Sequence, residues 1–250
     1  MEQEILKKEY TLSATDIDCH GRFRLSALLN HMQNMATQHA TILGFDRDYM
    51  MGEHNLFWML VRSQLSLKRD IRFEETVTMH TWPRPITKGP IVFRDFDLFV
   101  SGEHVGEATM SWVLVDITSR NIIKPSTLAR LQKTPEVQTP KTTAPGKVKL
   151  PEEMKTVFHR PVFYSDTDIN GHMNNVRYVD IACDALAFEQ RGEQYVSELL
   201  INYQKECFPG DQLEILTHAQ GDEHFVTGRF ATGQSSFDLS LTLATSEGEG

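Results

Sequence analysis

The string Thr167-Asp168-Ile169-Asn170-Gly171-His172-Met173-Asn174-Asn175 has an echo early in the chain, Thr15-Asp16-Ile17-Asp18-Cys19-His20. Aligned on their histidines, the two stand 152 positions apart (172 − 20) in a chain of 250 residues. An Asp-x-(Asn/Asp)-x-His string written twice predicts a duplicated unit, with halves of about 125 residues that can each bury a core. The copies differ where chemistry is sensitive. The second has a carboxamide at Asn170 and an Asn-Asn pair after its histidine; the first has Asp18, then Arg22-Phe23. That asymmetry predicts one half that carries a reaction and one that supplies scaffold and pocket.

Both halves repeat one order of elements: a short strand, the motif, a long helix, then several strands. In the first half Leu25, Leu28, Leu29, Met32, Met35, Ala36 and Leu43 recur at helical spacing, and Gly44 is a C-terminal stop. In the second, a helix is expected over about 175–189, apolar nearly all round and therefore wrapped by other structure. β-Branched and aromatic runs predict strands over 56–67, 76–82, 91–100 and 105–117, with a turn at Ser101-Gly102-Glu103-His104. Matching runs follow over 197–207, 212–219, 224–232 and 237–245, with turns at Gly221-Asp222 and Gly233-Gln234-Ser235. One helix and an antiparallel meander, written twice, give an α+β layout with a sheet curled round each helix. Pro135, Pro140, Pro145 and Pro151 exclude a helix or a central strand between the halves. The chain divides into an N-terminal repeat over 1–132, a Pro- and Lys-bearing linker over 133–160 and a C-terminal repeat over 161–250.

Composition excludes several classes. Hydrophobic content of 40% and charged content of 24% fit a soluble globular protein, and no apolar run is long enough to span a membrane. A net charge of −9 argues against broad nucleic-acid binding but leaves room for a local basic patch. Lys133, Lys141, Lys147, Lys149 and Lys155 read most simply as a solvated face, and alternatively as a dock for an acidic protein. Cys19, Cys183 and Cys207 are too few and too scattered for a disulfide framework or a CxxC metal site. They suit a reducing, cytoplasmic setting, as does a start without a signal core. There is no phosphate-cradling glycine loop, and no cofactor or metal is called for. Asp16, Asp18 and His20 lack further ligands for a metal site. Oligomeric state is not legible, and a homo-oligomer stays open.

The second motif concentrates chemistry. Asp168, Asn170 and His172 alternate, as they would on one face of an extended segment, and the expected helix begins just beyond them. Near a helix N-terminus a neutral, proton-accepting histidine is favoured, and orphan amides there can hold an oxyanion. The plainer reading makes Asp168 and Asn174 turn and capping residues and His172 a buried, hydrogen-bonded histidine. Glu206-Cys207 follows His172 by 34 positions (206 − 172), on what reads as a strand. Neighbours on a strand face opposite ways, so only one of the two can meet His172. Cys207 would be a nucleophile with His172 and Asn170; Glu206 would be a base that activates water. Cys207 also reads as a small buried hydrophobe and Glu206 as a solvated strand residue. Met32, Met35, Met50, Met51 and Met59 are core filler that could line an adaptable pocket.

At these residues the chain resembles the acyl-acyl-carrier-protein thioesterases of bacteria and plant plastids. The likeness runs through Thr167-Asp168-x-Asn170-x-His172-x-Asn174-Asn175-Val176-x-Tyr178 and Tyr203-x-x-Glu206-Cys207. In the first half it runs through Trp58-x-x-x-Arg62, Thr81-Trp82 and Ala108-x-x-x-Trp112-x-x-x-Asp116-x-x-Ser119-Arg120. The resemblance implies a tandem double hot-dog fold, each long helix wrapped in an antiparallel sheet. It implies hydrolysis of fatty acyl thioesters on acyl carrier protein, which would end chain elongation in fatty acid synthesis. Carried over residue by residue, the catalytic set is Asp168, Asn170, His172 and Glu206, with Cys207 as the alternative nucleophile. Glu206, assisted by His172, would deprotonate a water; Asn170 and helix N-terminal amides would hold the substrate oxygen; Asp168 would orient the Asn170–His172 pair. The first repeat would shape the acyl cavity. Ser119-Arg120-Asn121 departs from plant members, which usually have two arginines, and the targeting extension is missing, which favours a bacterial-type enzyme. The implied partner is acidic, so Arg177, Lys205 and the linker lysines are docking candidates on charge alone. Rival expectations are an acyl-CoA thioesterase, a hot-dog dehydratase and a non-catalytic hot-dog sensor of acyl thioesters.

Overall fold

The computed structural model describes residues 4–128 and 143–246. Lys133, Pro135, Pro140 and Lys141 of the expected linker, and the acidic end 247–250, lie outside them. The first half runs β1 (Leu6–Thr11), α1 (Leu25–Ile42), β2 (Leu56–Leu67), β3 (Thr76–Pro83), β4 (Ile91–Val100), β5 (Glu103–Asp116) and the short β6 (Ile122–Ile123). The second runs β7 (Lys155–Pro161), α2 (Arg177–Ala185), β8 (Gln194–Tyr203), β9 (Gln212–Gln220), β10 (Glu223–Arg229) and β11 (Ser235–Thr245). Strand β7 thus begins inside the stretch expected to be linker. Among the described residues no helix is long and apolar enough to cross a membrane.

The strands do not form two separate sheets. They form one antiparallel sheet in the order β1-β3-β4-β5-β2-β8-β11-β10-β9-β7, with β6 on β5. The order reads alike from either end, and the halves meet where β2 pairs with β8, from Arg62↔Asn202 to Ser66↔Glu198. The tandem hot-dog arrangement is present, with the two helices on one face of a continuous sheet. On the opposite face, the chain entering the second repeat is stapled over the seam. Arg62 Nη1 donates to the Pro145 carbonyl (3.0 Å), Asn202 Nδ2 to that of Gly146 (3.1 Å), and the Val148 amide to Asn202 Oδ1 (2.7 Å).

Helix α1 buries Leu25, Leu28, Leu29, Met32, Met35 and Ala36, the stripe its spacing predicts. It stops at Gly44, whose φ of +80° is the left-handed conformation that closes a helix at little cost in glycine. Helix α2 is shorter than its apolar pattern suggests. Asn174 Oδ1 accepts the Val176 amide at 3.0 Å, delaying the start, and Ala187 at φ +52° ends it. The expected 175–189 helix is Arg177–Ala185, with a separate 3-10 turn at Phe188–Gln190. The β4–β5 turn places Ser101 and Gly102 at φ +50° and +81°, the pair of positive values a tight two-residue hairpin needs. One core runs through both halves, from Leu28, Leu29 and Met32 to Val179, Ile181 and Phe237.

Candidate active site

The segment holding Asp168, Asn170 and His172 is a tight turn, not the extended run expected. Thr167 and Met173 form an antiparallel bridge, and the Gly171 amide donates to the Asp168 carbonyl at 3.0 Å, with Gly171 at φ +80°. The Asp168 amide donates to the His172 carbonyl (3.1 Å), and the Asp168 carboxylate accepts the Asn170 amide (2.8 Å). Asp168 therefore fixes the loop that carries Asn170 and His172. The Met173 amide donates to the Cys207 carbonyl at 2.8 Å and ties the turn to the chain beyond β8. That strand ends at Tyr203, so Glu206 and Cys207 lie in the following loop, not on the strand. The loop still sends them opposite ways.

Glu206 Oε1 stands 3.6 Å from His172 Nε2. The gap is slightly long for a direct hydrogen bond and suits a water that touches both. Phe208 sets its ring edge-on to the His172 imidazole at 6.3 Å. The first repeat reaches in as well: Arg47 Nη1 donates to Asn170 Oδ1 (3.3 Å), and Asn175 Nδ2 donates to Gln33 Oε1 on α1 (3.3 Å). With Oδ1 turned to Arg47, Asn170 offers its NH₂ as a donor. The helix amides expected to share that task are already used, Val176 N–H by Asn174 Oδ1 and Arg177 N–H by the Asn174 carbonyl. His172, Glu206 and Asn170 border a cavity of about 780 Å³ that continues between α1 and the first-repeat strands, along Ala36, Met50, Trp58, Leu60, Trp112 and Arg94. This is the volume of a small-molecule site.

Cys207 is set apart from this pair. It is fully buried, its Sγ facing the Lys205 carbonyl at 3.9 Å, and burial pushes the thiol pKa up. A protonated thiol away from water is a poor nucleophile. Cys207→Ala is expected to keep kcat within about threefold, because the free-energy change would come from packing rather than chemistry; fatty acid release by the variant and its thermal melting together check this.

Residues 3–126 match the acyl-ACP thioesterase N-terminal domain, and residues 150–248 the C-terminal domain of the same family. The chain belongs to the acyl-ACP thioesterase family. Among its relatives, the chloroplastic oleoyl-acyl carrier protein thioesterase of Coriandrum sativum is 23% identical over 87% of this chain and 63% of its own length. The chloroplastic palmitoyl-acyl carrier protein thioesterase of Cuphea hookeriana is 24% identical over 85% of this chain and 54% of its own. The chain thus spans less than two thirds of the length of these relatives. In fold it is similar to an acyl-ACP thioesterase from Bacteroides thetaiotaomicron (TM-score 0.88, 22% identity, 97% of this chain and 99% of that one). It is similar also to the 12:0-ACP thioesterase of Umbellularia californica (TM-score 0.85, 18% identity, 98% and 99% covered).

The duplication within this thioesterase-family chain has a different register from the one its histidines suggest. Asp18 N donates to the Arg22 carbonyl as Asp168 N does to that of His172, and Phe23 N donates to the Ile71 carbonyl as Met173 N does to that of Cys207. Ser13 N and Phe163 N meet Asp16 and Asp166 carboxylates at 2.8 Å each. The offset is 150 (172 − 22), not 152, so Asp18 matches Asp168, His20 matches Asn170, and Arg22 stands where His172 does. By the same hydrogen bonds Asp70 stands where Glu206 does. Arg22 is paired with Asp18 (3.3 Å) and Asp70 with Arg72 (2.6 Å), in a cavity of about 770 Å³. Two ion pairs replace a histidine and its carboxylate. Asp16, Asp18 and His20 have separate partners too: Asp16 meets His31 (3.1 Å), and His20 Nε2 meets the Phe188 carbonyl (3.0 Å).

Several cavity residues escape sequence reasoning. Arg47 and Arg120, the latter named only as part of a family motif, border the cavity beside His172, whereas Arg177 borders the other one and pairs with Asp180 (2.9 Å). Lys205 is turned to Gln234 (3.1 Å) and the Phe230 ring (4.9 Å). No pattern marked Arg47, which meets Asn170 only through the tertiary fold. Arg94 did leave a signal: it interrupts an alternating apolar row, Val92-x-Arg94-x-Phe96-x-Leu98, on β4.

Proposed function

We propose that the chain hydrolyses fatty acyl thioesters on acyl carrier protein, releasing free fatty acid and carrier protein. The observation that carries this is the His172–Glu206 pair, 3.6 Å apart, at the border of a cavity large enough for an acyl chain. A water between the two groups gives up a proton to Glu206, with His172 holding the water's oxygen in place. That oxygen bonds to the thioester carbonyl carbon, and the Asn170 NH₂ steadies the negative charge that moves onto the carbonyl oxygen. Collapse of the tetrahedral species breaks the C–S bond, and the departing thiolate takes up the proton. Asp168 positions Asn170 and His172 through its turn. Catalysis by Glu206 and water is preferred to a Cys207 acyl-enzyme because Cys207 is buried with a raised pKa.

The rim suits the carrier protein's acidic surface. Arg47 and Arg120 are exposed beside the cavity, together with exposed Ile169 and Phe208. Lys147 and Lys149 belong to the segment stapled to the opposite face of the sheet and are not in this rim. KM for acyl-carrier-protein thioesters is therefore expected to rise several-fold between low and about 0.5 M salt, with kcat little changed. Arg47→Glu with Arg120→Glu should raise KM similarly at low salt and flatten the salt response; equal KM values across the salt series would remove electrostatic docking. Three free cysteines support a reducing, cytoplasmic setting. The deciding experiment is release of free fatty acid from matched carrier-protein and CoA thioesters. Turnover on carrier-protein substrates supports the reading, turnover on CoA thioesters alone replaces it, and binding without turnover leaves a sensor.

A further inference from the structure

The face of the first repeat turned away from the helices holds a cluster that the proposed reaction does not use. On β4, Phe96 and Leu98 point into the core, so Asp97 between them points to the other face. Its register partner on β5 is Glu107, and His104 lies on the same strand, just after the Ser101-Gly102 turn. His104 Nε2 stands 3.1 Å from Asp97 Oδ1, and one ligand atom from each of the three residues lies within 4.8 Å of the other two. Phe99 sets its ring edge-on to the His104 imidazole at 5.3 Å and limits its rotation. Spread over two strands as Asp97, His104 and Glu107, the trio forms no motif along the chain and converges only through the β4–β5 register.

Two carboxylates directly opposite each other on neighbouring strands repel. Asp97 is only 6% exposed, so water and salt screen it little. Two positions earlier on β4, the Asp95 carboxylate is matched by an arginine, Arg84, at 2.7 and 2.8 Å. Asp97 is met by an imidazole, which carries a counter-charge only when protonated. Glu107 has no hydrogen-bond or ion-pair partner among the described residues. We infer that Asp97, His104 and Glu107 form a binding site for a divalent transition-metal ion of the zinc class. Ligand atoms at about 2.0–2.1 Å around a tetrahedral ion stand roughly 3.3 Å from one another. The Asp97–His104 spacing is already close to that, and rotation of the Glu107 side chain supplies the third ligand. An imidazole nitrogen selects against magnesium and calcium, which take oxygen ligands, and a set without sulfur selects against copper(I). Three protein ligands leave the fourth position to water. An ion held there ties β4 to β5 beside their turn, on the far side of the sheet from the acyl cavity, and stabilises the fold without entering the reaction.

The test needs no turnover, so it stands or falls apart from the proposed hydrolysis. Zinc chloride, and separately magnesium chloride, is titrated calorimetrically into chelator-treated wild type, His104→Ala and Glu107→Gln. Wild type is expected to bind one zinc ion per chain and to respond far less to magnesium. Each substitution should weaken zinc binding by more than about 100-fold, since even the groups that merely support a metal ligand are worth about 10–100-fold. With zinc at about 100 times its dissociation constant, the wild-type Tm should rise by about 5 °C or more. Neither variant should show that rise. Glu107→Gln keeps the side chain's shape and removes the repulsion, so its metal-free Tm should equal or exceed that of wild type, which shows that it folds. Zinc bound equally by wild type and the variants lies elsewhere on the chain and overturns the inference. So does a wild type that binds no zinc, which leaves the cluster as a His104–Asp97 ion pair, and so does magnesium binding as tight as that of zinc.

Discussion

Glu206→Gln is expected to lower kcat on acyl-carrier-protein thioesters by about 10²–10⁴-fold, the usual weight of a general base. The amide keeps the shape and a hydrogen-bonding oxygen toward His172, 3.6 Å away in the native protein, but cannot take a proton from water. The native carboxylate is partly exposed, so its neutralisation should leave thermal melting within a degree or two. In the proposed mechanism the group acts on a water and not on the acyl chain, so KM should move little and the loss should appear in kcat. Single-turnover kinetics on carrier-protein substrate give both values. A variant that keeps wild-type kcat would place the base elsewhere; read beside Cys207→Ala, the two results separate attack by water from attack by sulfur.

Phe237→Ala should carry the largest cost in stability, about 3–5 kcal/mol, measured by urea unfolding. The ring is fully buried, tilted against Tyr178 at 5.1 Å, and its residue pairs with Tyr203 across β11 and β8. Gly228 on β10 leaves room for it, since a Cβ there would lie 2.5 Å from the Phe237 ring. A glycine shaped round a phenylalanine cannot collapse into the void left by its removal, which sets the cost at the upper end of the range. Tyr178 also touches Tyr203 at 5.7 Å, just before the Glu206 loop, so activity should fall below what the folded fraction predicts. A loss under about 1.5 kcal/mol would mean that the site repacks.

Local signals read well where one element decides its own structure. The α1 stripe from Leu25 to Ala36 and the Gly44 stop are both short-range, and so are the hairpin turns at Ser101-Gly102 and Gly221-Asp222. The structure departs from the local pattern where a distant contact or a single backbone angle decides. The apolar pattern of α2 runs on to Phe188, but Ala187 turns left-handed. The Leu199–Tyr203 strand pattern runs on to Cys207, but the Met173–Cys207 bond takes that residue into a loop. The histidines of the two motifs suggest an offset of 152, but the hydrogen bonds set Arg22, not His20, opposite His172. The His172–Glu206 meeting was legible from the paired motifs; the Arg47–Asn170 contact joins residues 123 positions apart and had no local signature.

The seam between β2 and β8 has a consequence for synthesis. Residues 62–66 wait for 198–202, 132 positions away at the nearest pair (198 − 66) and 140 at the farthest (202 − 62), before their edge is closed. At about 5–20 residues per second, the first repeat emerges from the ribosome with this stretch of the β2 edge open for between about 7 and about 28 s. An exposed edge of that length is an invitation to intermolecular pairing. Here the waiting stretch, Arg62-Ser63-Gln64-Leu65-Ser66, is mostly polar, and Arg62 is charged. The strand that joins the two halves is thus also guarded while the nascent chain is half made.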